Sequence, residues 1–129
     1  MKIVFEGART TPRALAISGD VKKDRPAYLW PGILFMPSGQ RRVYSDLSSK
    51  AGFRFWAKGD GRTYRVAIVG AAGNPIPEQV FKPGPDWHEY RFPFTDFLNL
   101  DPHRIRSIII AASRDPGLFI IQLDEVSLY

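Results

Sequence analysis

The feature that most constrains this chain is the alternation of apolar and polar residues in short segments, broken by turn formers about every eight to twelve positions. Successive side chains of an extended strand point to opposite faces, so a period of two marks a strand with one buried face, whereas a helix repeats near 3.6. The run 52–58 alternates cleanly, with Phe53, Phe55 and Ala57 expected inward and Arg54, Trp56 and Lys58 outward. In 62–69, Tyr64, Val66 and Ile68 share one face, with Arg65 and Ala67 on the other. In 88–92, Tyr90 and Phe92 share a face, and in 14–18 Leu15 and Ile17 do. A short opener at 2–5 and an aromatic run at 28–35, bent at Pro31-Gly32, complete the N-terminal half. Residues 106–112 are nearly all apolar, which predicts a central strand covered on both faces.

The last segment, 118–129, changes parity along its length. Phe119, Ile121 and Leu123 fall on odd positions, Val126 and Leu128 on even ones. One strand buries both sets only if an extra residue is inserted, and Asp124-Glu125 is the expected β-bulge. Eleven Gly and eleven Pro lie mostly between these runs, where they set φ or remove a donor and so end strands. Gly59-Asp60-Gly61 is expected to form a hairpin turn, and 82–86 (Lys-Pro-Gly-Pro-Asp) a loop. Helix signals are confined to 94–100, one turn with Thr95 or Asp96 as cap before Pro102. The expected class is all-β, a two-sheet antiparallel jelly-roll sandwich.

The chain has 129 residues, enough for one domain, taken as 1–129, with a core that needs no staples. It contains no cysteine, hence no disulfide framework and no thiolate chemistry. The longest apolar run, 108–112, is far from the ~20 residues that span a bilayer, and the start turns charged too soon for a signal peptide; no membrane insertion is expected and the compartment stays open. The net charge of +5 is spread over scattered groups such as Arg41/Arg42, Arg54/Lys58 and Arg104/Arg106. None reaches the run of about five or six like charges that marks a binding tail, so these residues are read as a solvated surface and not as a nucleic-acid footprint.

Catalytic signals are absent from the pattern. His88 and His103 are the two histidines, without zinc-ligand spacing, nucleophile elbow or phosphate-cradling glycine loop. No residue is assigned a catalytic role. Two binding constellations remain. Trp56 beside Arg54 is expected on an outward face, as a ligand platform, as a contact for a neighbouring domain, or, by a strand swap, as a core residue; Arg65 and His88 are its candidate companions. Asp124 and Glu125 face water at the bulge, or with Glu6 and loop carbonyls supply oxygens to a structural calcium ion.

Several phrases in order, "ALAISGDV" at 14–21, "WPGILF" at 30–35, "FRFWAKGDGRTY" at 53–64, "WHEYRFPFTDF" at 87–97 and "LDEVSL" at 123–128, together resemble the complex I intermediate-associated protein 30 family in its bacterial form. The resemblance spans the chain from about Ala14 onward; such domains usually open with a Met-Gly-Gly-rich stretch that this sequence does not contain. It implies a galactose-binding-domain-like jelly roll related to carbohydrate-binding modules such as those of family 11. It implies too a non-catalytic accessory module for protein docking or assembly, appended to an enzyme such as a hydrolase. The alternative is a carbohydrate-binding module that uses the outward aromatic and basic face.

Overall fold

The computed structural model describes residues 2–4, 14–23, 31–40, 42–71 and 75–129. Nine strands are formed among them: β1 (Lys2–Val4), β2 (Ala14–Val21), β3 (Gly32–Phe35), β4 (Gly52–Gly59), β5 (Tyr64–Gly70), β6 (Glu78–Phe81), β7 (His88–Pro93), β8 (Ile105–Ala112) and β9 (Gly117–Leu128). They build one sheet in the order β1-β2-β9-β4-β7 and another in the order β3-β8-β5-β6. Every pairing is antiparallel. This is the jelly-roll sandwich that the alternation predicts. Among the described residues no helix is long and apolar enough to cross a membrane.

The inward faces meet through aromatic rings. Phe55 of β4 approaches Phe81 of β6 edge-on at 5.2 Å, Phe35 of β3 lies 5.9 Å from Phe53 of β4, and Tyr64 of β5 lies 6.3 Å from Phe119 of β9. Each contact joins one sheet to the other, and the edge and tilted geometries suit the ring quadrupoles. Phe53, Phe55, Ala57, Tyr64, Val66, Ile68, Phe92, Phe119, Ile121 and Leu123 are all buried, as the parity requires. β8 lies between β3 and β5 and buries Ile108, Ile110 and Ala112 on one face and Ala111 on the other, while Arg106 and Ile109 are half-buried.

The bulge forms where the parity changes. Arg54 pairs with Ser127 while Trp56 pairs with Asp124, so β9 spends one residue more than β4 between these points. Glu125 takes the insertion with φ 49°. Beyond it Val126 and Leu128 pack against the core.

Two local expectations change. Gly59-Asp60-Gly61 does not close a hairpin, because β4 and β5 belong to different sheets. The apolar faces of the two runs meet across one core, so the link must arch from sheet to sheet. Asp60 holds the arch: its carboxylate accepts from the N–H of Arg62 at 3.0 Å and of Ile120 at 2.9 Å, and from the Tyr64 hydroxyl at 3.1 Å. Burial first, and then the Asp60 charge, push the Tyr64 phenol far above its ordinary pKa, so it stays a donor. Gly61 sits at φ +79°, and its N–H donates to the Pro83 carbonyl at 2.8 Å, which ties the arch to the 82–86 loop. The expected helix turn over 94–100 contracts to a 3-10 turn, Phe94–Asp96, preceded by Pro93 with no side-chain cap. Burial of Phe94 and Phe97 anchors it, not Thr95 or Asp96. The 28–35 run is described from Pro31 onward, where β3 begins at Gly32; Tyr28 and Trp30 lie outside the described residues.

Asp60→Ala removes a carboxylate with three donors and should lower unfolding stability by roughly 2–3 kcal/mol. Urea unfolding should show a lower midpoint at unchanged slope, with Asp60→Asn intermediate. At the bulge, Glu125→Gly relieves a positive φ, whereas Glu125→Val places a β-branched side chain there and should cost on the order of 1–2 kcal/mol relative to the glycine variant. Equal midpoints for these two variants would contradict the assigned backbone.

Candidate functional site

The outer face of the five-stranded sheet is set by what its inner face buries. With Phe53, Phe55 and Ala57 inside, the pleat turns Arg54, Trp56 and Lys58 outward. β7 pairs Phe92 with Phe53 and Tyr90 with Phe55, so Arg91 stands opposite Arg54 and Glu89 opposite Trp56 on the outer face. On the other flank the bulge sets Ser127 opposite Arg54 and Asp124 opposite Trp56, and Gln122 follows opposite Lys58. The half-buried indole of Trp56 therefore stands in a row between two carboxylate residues, with arginines one pleat repeat away.

A cavity of about 300 Å³ opens here, lined by Arg54, Trp56, Glu89, Glu125, Val126 and Ser127. Arg54 donates from Nε to the Ser127 hydroxyl at 3.1 Å. Arg91 donates from Nε to Glu89 at 2.5 Å, and this bond and the Glu89 charge hold Arg91 above its ordinary pKa. Both guanidinium carbons lie over the Tyr129 ring, at 5.9 Å for Arg54 and 5.2 Å for Arg91. Tyr129 is fixed by its backbone, which donates to the Gly52 carbonyl at 3.0 Å and accepts from the Ala51 N–H at 2.5 Å. Gly52 is needed beneath it, because a Cβ there would stand 2.5 Å from the Phe92 carbonyl oxygen and 2.8 Å from the Tyr129 hydroxyl. An aromatic plate ringed by charged donors and acceptors can stack on a flat face and hydrogen-bond the groups at its rim.

The expected companions separate. Arg54 and Trp56 stand together. Arg65 belongs to the four-stranded sheet and cannot share their face, because the arch at Asp60 carries the chain across the core. It is buried against Ala111 of β8, with Nη1 3.7 Å from Glu78, and burial lowers its pKa. His88 pairs with the inward-facing Ala57 and shares the parity of Tyr90 and Phe92; it is exposed at the start of β7 and turned away from the Trp56 row. Glu6 lies outside the described residues. Asp124 and Glu125 adjoin at the bulge, where the Glu125 N–H donates to Asp124 Oδ1 at 2.8 Å. Among the described residues no group of three or more His, Asp or Glu side chains is placed to hold a metal ion. The residues not anticipated are Glu89, Arg91, Ser127 and Tyr129. Their outward parity is implicit in the burial of Tyr90, Phe92, Val126 and Leu128, but their neighbourhood depends on strand order. A second hollow, about 430 Å³ on the four-stranded sheet, is lined by Leu34, Met36, Arg42, Val69, Arg106 and Ile109 with Ser107, and has no aromatic plate.

The sequence matches no protein-family model and no curated protein. Solved structures do share the fold. The family 11 carbohydrate-binding module of the cellulosomal cellulase Lic26A-Cel5E of Clostridium thermocellum aligns with TM-score 0.69 at 18% identity, over 98% of this chain and 81% of its own. A family 11 module from the same organism, in complex with a β-1,3-1,4-mixed-linked tetrasaccharide, gives 0.67 at 20%, over 98% and 82%. A family 30 module of the cellulase Cel9D-Cel44B of that organism gives 0.68 at 14%, over 99% and 80%. These findings correct the resemblance to the complex I intermediate-associated protein 30 family, and the expected docking or assembly role falls with it. Two of the phrases that carried it are anchored by core aromatics of β4, β7 and the turn after β7 (Phe53, Phe55, Phe92, Phe94 and Phe97), residues that fill the interior of the sandwich. The chain has the fold of family 11 and family 30 carbohydrate-binding modules.

Proposed function

We propose that this chain is a carbohydrate-binding module that holds its ligand on the outer face of the five-stranded sheet without transforming it. The observation that carries this reading is the Trp56 row, a half-exposed indole between Glu89 and Asp124 with Arg54 and Ser127 alongside. A pyranose ring offers an apolar C–H face to an indole and a rim of hydroxyls to charged donors and acceptors. The likeness in fold to modules of families 11 and 30, one of them holding a tetrasaccharide, supports the same reading. Trp56 supplies stacking area at low entropic cost, Arg54 donates, and Glu89 and Asp124 accept from sugar hydroxyls.

Affinity electrophoresis and titration calorimetry against a panel of soluble polysaccharides, mixed-linkage β-glucan included, test it. Trp56→Ala should weaken the bound saccharide by at least about tenfold, the loss of ~1.4 kcal/mol expected of a central aromatic contact. Because the side chain lies on the outer face, the melting temperature should move by no more than about 4 °C. A panel in which no saccharide alters mobility or tryptophan fluorescence, or a Trp56→Ala variant that binds as tightly as the native chain, refutes the proposal.

A further inference from the structure

Arg54 and Arg91 are direct cross-strand partners on the outer face. Like charges in that relation repel, yet here they converge over one ring, that of Tyr129. Among the described residues each guanidinium makes its hydrogen bond through Nε alone, Arg54 to Ser127 and Arg91 to Glu89. The terminal amino groups of both forks are therefore left for water or a ligand. Glu89 offsets one of the two positive charges at Nε, and Asp124 and Glu125 stand on the bulge side of Trp56. The ring beneath is held on both sides by backbone bonds between Tyr129 and Gly52. The result is a preorganised pair of forks, one pleat repeat from the Trp56 plate.

Planar forks of this kind match a carboxylate through paired N–H donors, better than they match a neutral hydroxyl. On a sugar the group with that shape is the carboxylate of a uronic acid, which projects from the edge of the pyranose ring. With the ring stacked on Trp56, an edge group directed along β4 reaches the arginines, which lie one pleat repeat from the indole, while Glu89 and Asp124 lie to either side across the strands. From this juxtaposition we infer that the module prefers acidic, uronate-containing polysaccharide, with the carboxylate seated at Arg54 and Arg91. This rests on the carbohydrate reading above. Glu89 and Asp124, flanking the indole, take the hydroxyls of the same chain. A sulfate ester offers similar oxygens, so it forms a separate arm of the test.

The test is calorimetry of the native chain with oligogalacturonate, its methyl ester, a neutral cello-oligosaccharide and dextran sulfate, at physiological ionic strength. Methyl esterification removes the charge and keeps the sugar backbone; it should weaken binding by at least about tenfold. Arg54→Met and Arg91→Met should each abolish the preference for the acid over the ester. Arg91→Lys keeps the charge without the fork and should retain only part of it, which guards against an unfolded methionine variant. Arg106→Gln, the same loss of charge on the other sheet, should keep the preference. An equal loss in Arg106→Gln and Arg91→Met would mean diffuse attraction to a basic protein and would overturn the inference. So would tighter binding of dextran sulfate through the same arginines. Equal affinity for acid and ester, with Trp56-dependent binding of either, would end the uronate preference and leave the carbohydrate reading intact. Failure of every saccharide to bind would end both.

Discussion

The interlock of aromatic rings between the two sheets is the interaction on which the remaining structure depends. Phe55 is its centre, with the rings of Phe53, Phe81 and Phe92 all within 5.6 Å of its own and that of Tyr90 at 6.0 Å. Burying each such ring contributes about 1.5–3 kcal/mol, and the edge-on and tilted contacts leave little room for an alternative fit. A slip of β4 by one residue would exchange Phe53 and Phe55 for Arg54 and Trp56 in the core. The cost of burying an unpaired guanidinium excludes that register. The identity of the outer face is thus decided by the core: Arg54 and Trp56 are outside because their neighbours must be inside.

β9 adds a second constraint. It runs between β2 and β4 for most of its length, and its apolar residues are out of step with a strict two-residue repeat. The insertion at Glu125 reconciles them, at the expense of a positive φ in a non-glycine residue. A functional consequence follows from the same irregularity. It brings Asp124 opposite Trp56 and Ser127 opposite Arg54, and it brings the chain to Gly52 with Tyr129 lying across the outer face. Without the extra residue Val126 and Leu128 would face solvent, and the ring that supports both arginines would point toward the core. The strand distortion and the candidate site share one cause, which agrees with the tendency of bulges to re-aim side chains beside binding sites.

Side-chain parity was legible because it depends only on neighbours along the chain. Phe53, Phe55 and Ala57, the inward positions of β5, and the bulge at Asp124-Glu125 could all be read from apolar spacing. Strand order was not, because it depends on which edges meet. The arch at Asp60 illustrates this. A Gly-Asp-Gly link between two alternating runs has the local chemistry of a hairpin, and nothing nearby records that Asp60 will bind Ile120 from β9. Assigning it to a hairpin put Arg65 in the same sheet as Trp56, when the two face away from each other across the core. His88 went astray differently, since its shared parity with Tyr90 and Phe92 already placed it off the Trp56 row. Family likeness misled for a related reason: phrases rich in core aromatics report a sandwich more strongly than they report a lineage.

The outer face also shows where local consistency yields. Elsewhere two cations are paired with carboxylates, Lys22 with Asp20 at 2.6 Å just past β2 and Arg65 of β5 with Glu78. At Arg54 and Arg91 two cross-strand cations share one aromatic support, an arrangement that costs stability before any ligand arrives even though Arg91 also bonds Glu89. Cation–π contact with Tyr129 offsets only part of that cost. The Glu89 bond offsets a further part, and being exposed it is weakened by salt. A folding requirement does not account for placing both arginines there, since any neutral polar residue would satisfy the outer pleat. An anion shared between the two forks does account for it, because it meets the terminal amino groups of both guanidiniums, while Glu89 bonds Arg91 only at Nε.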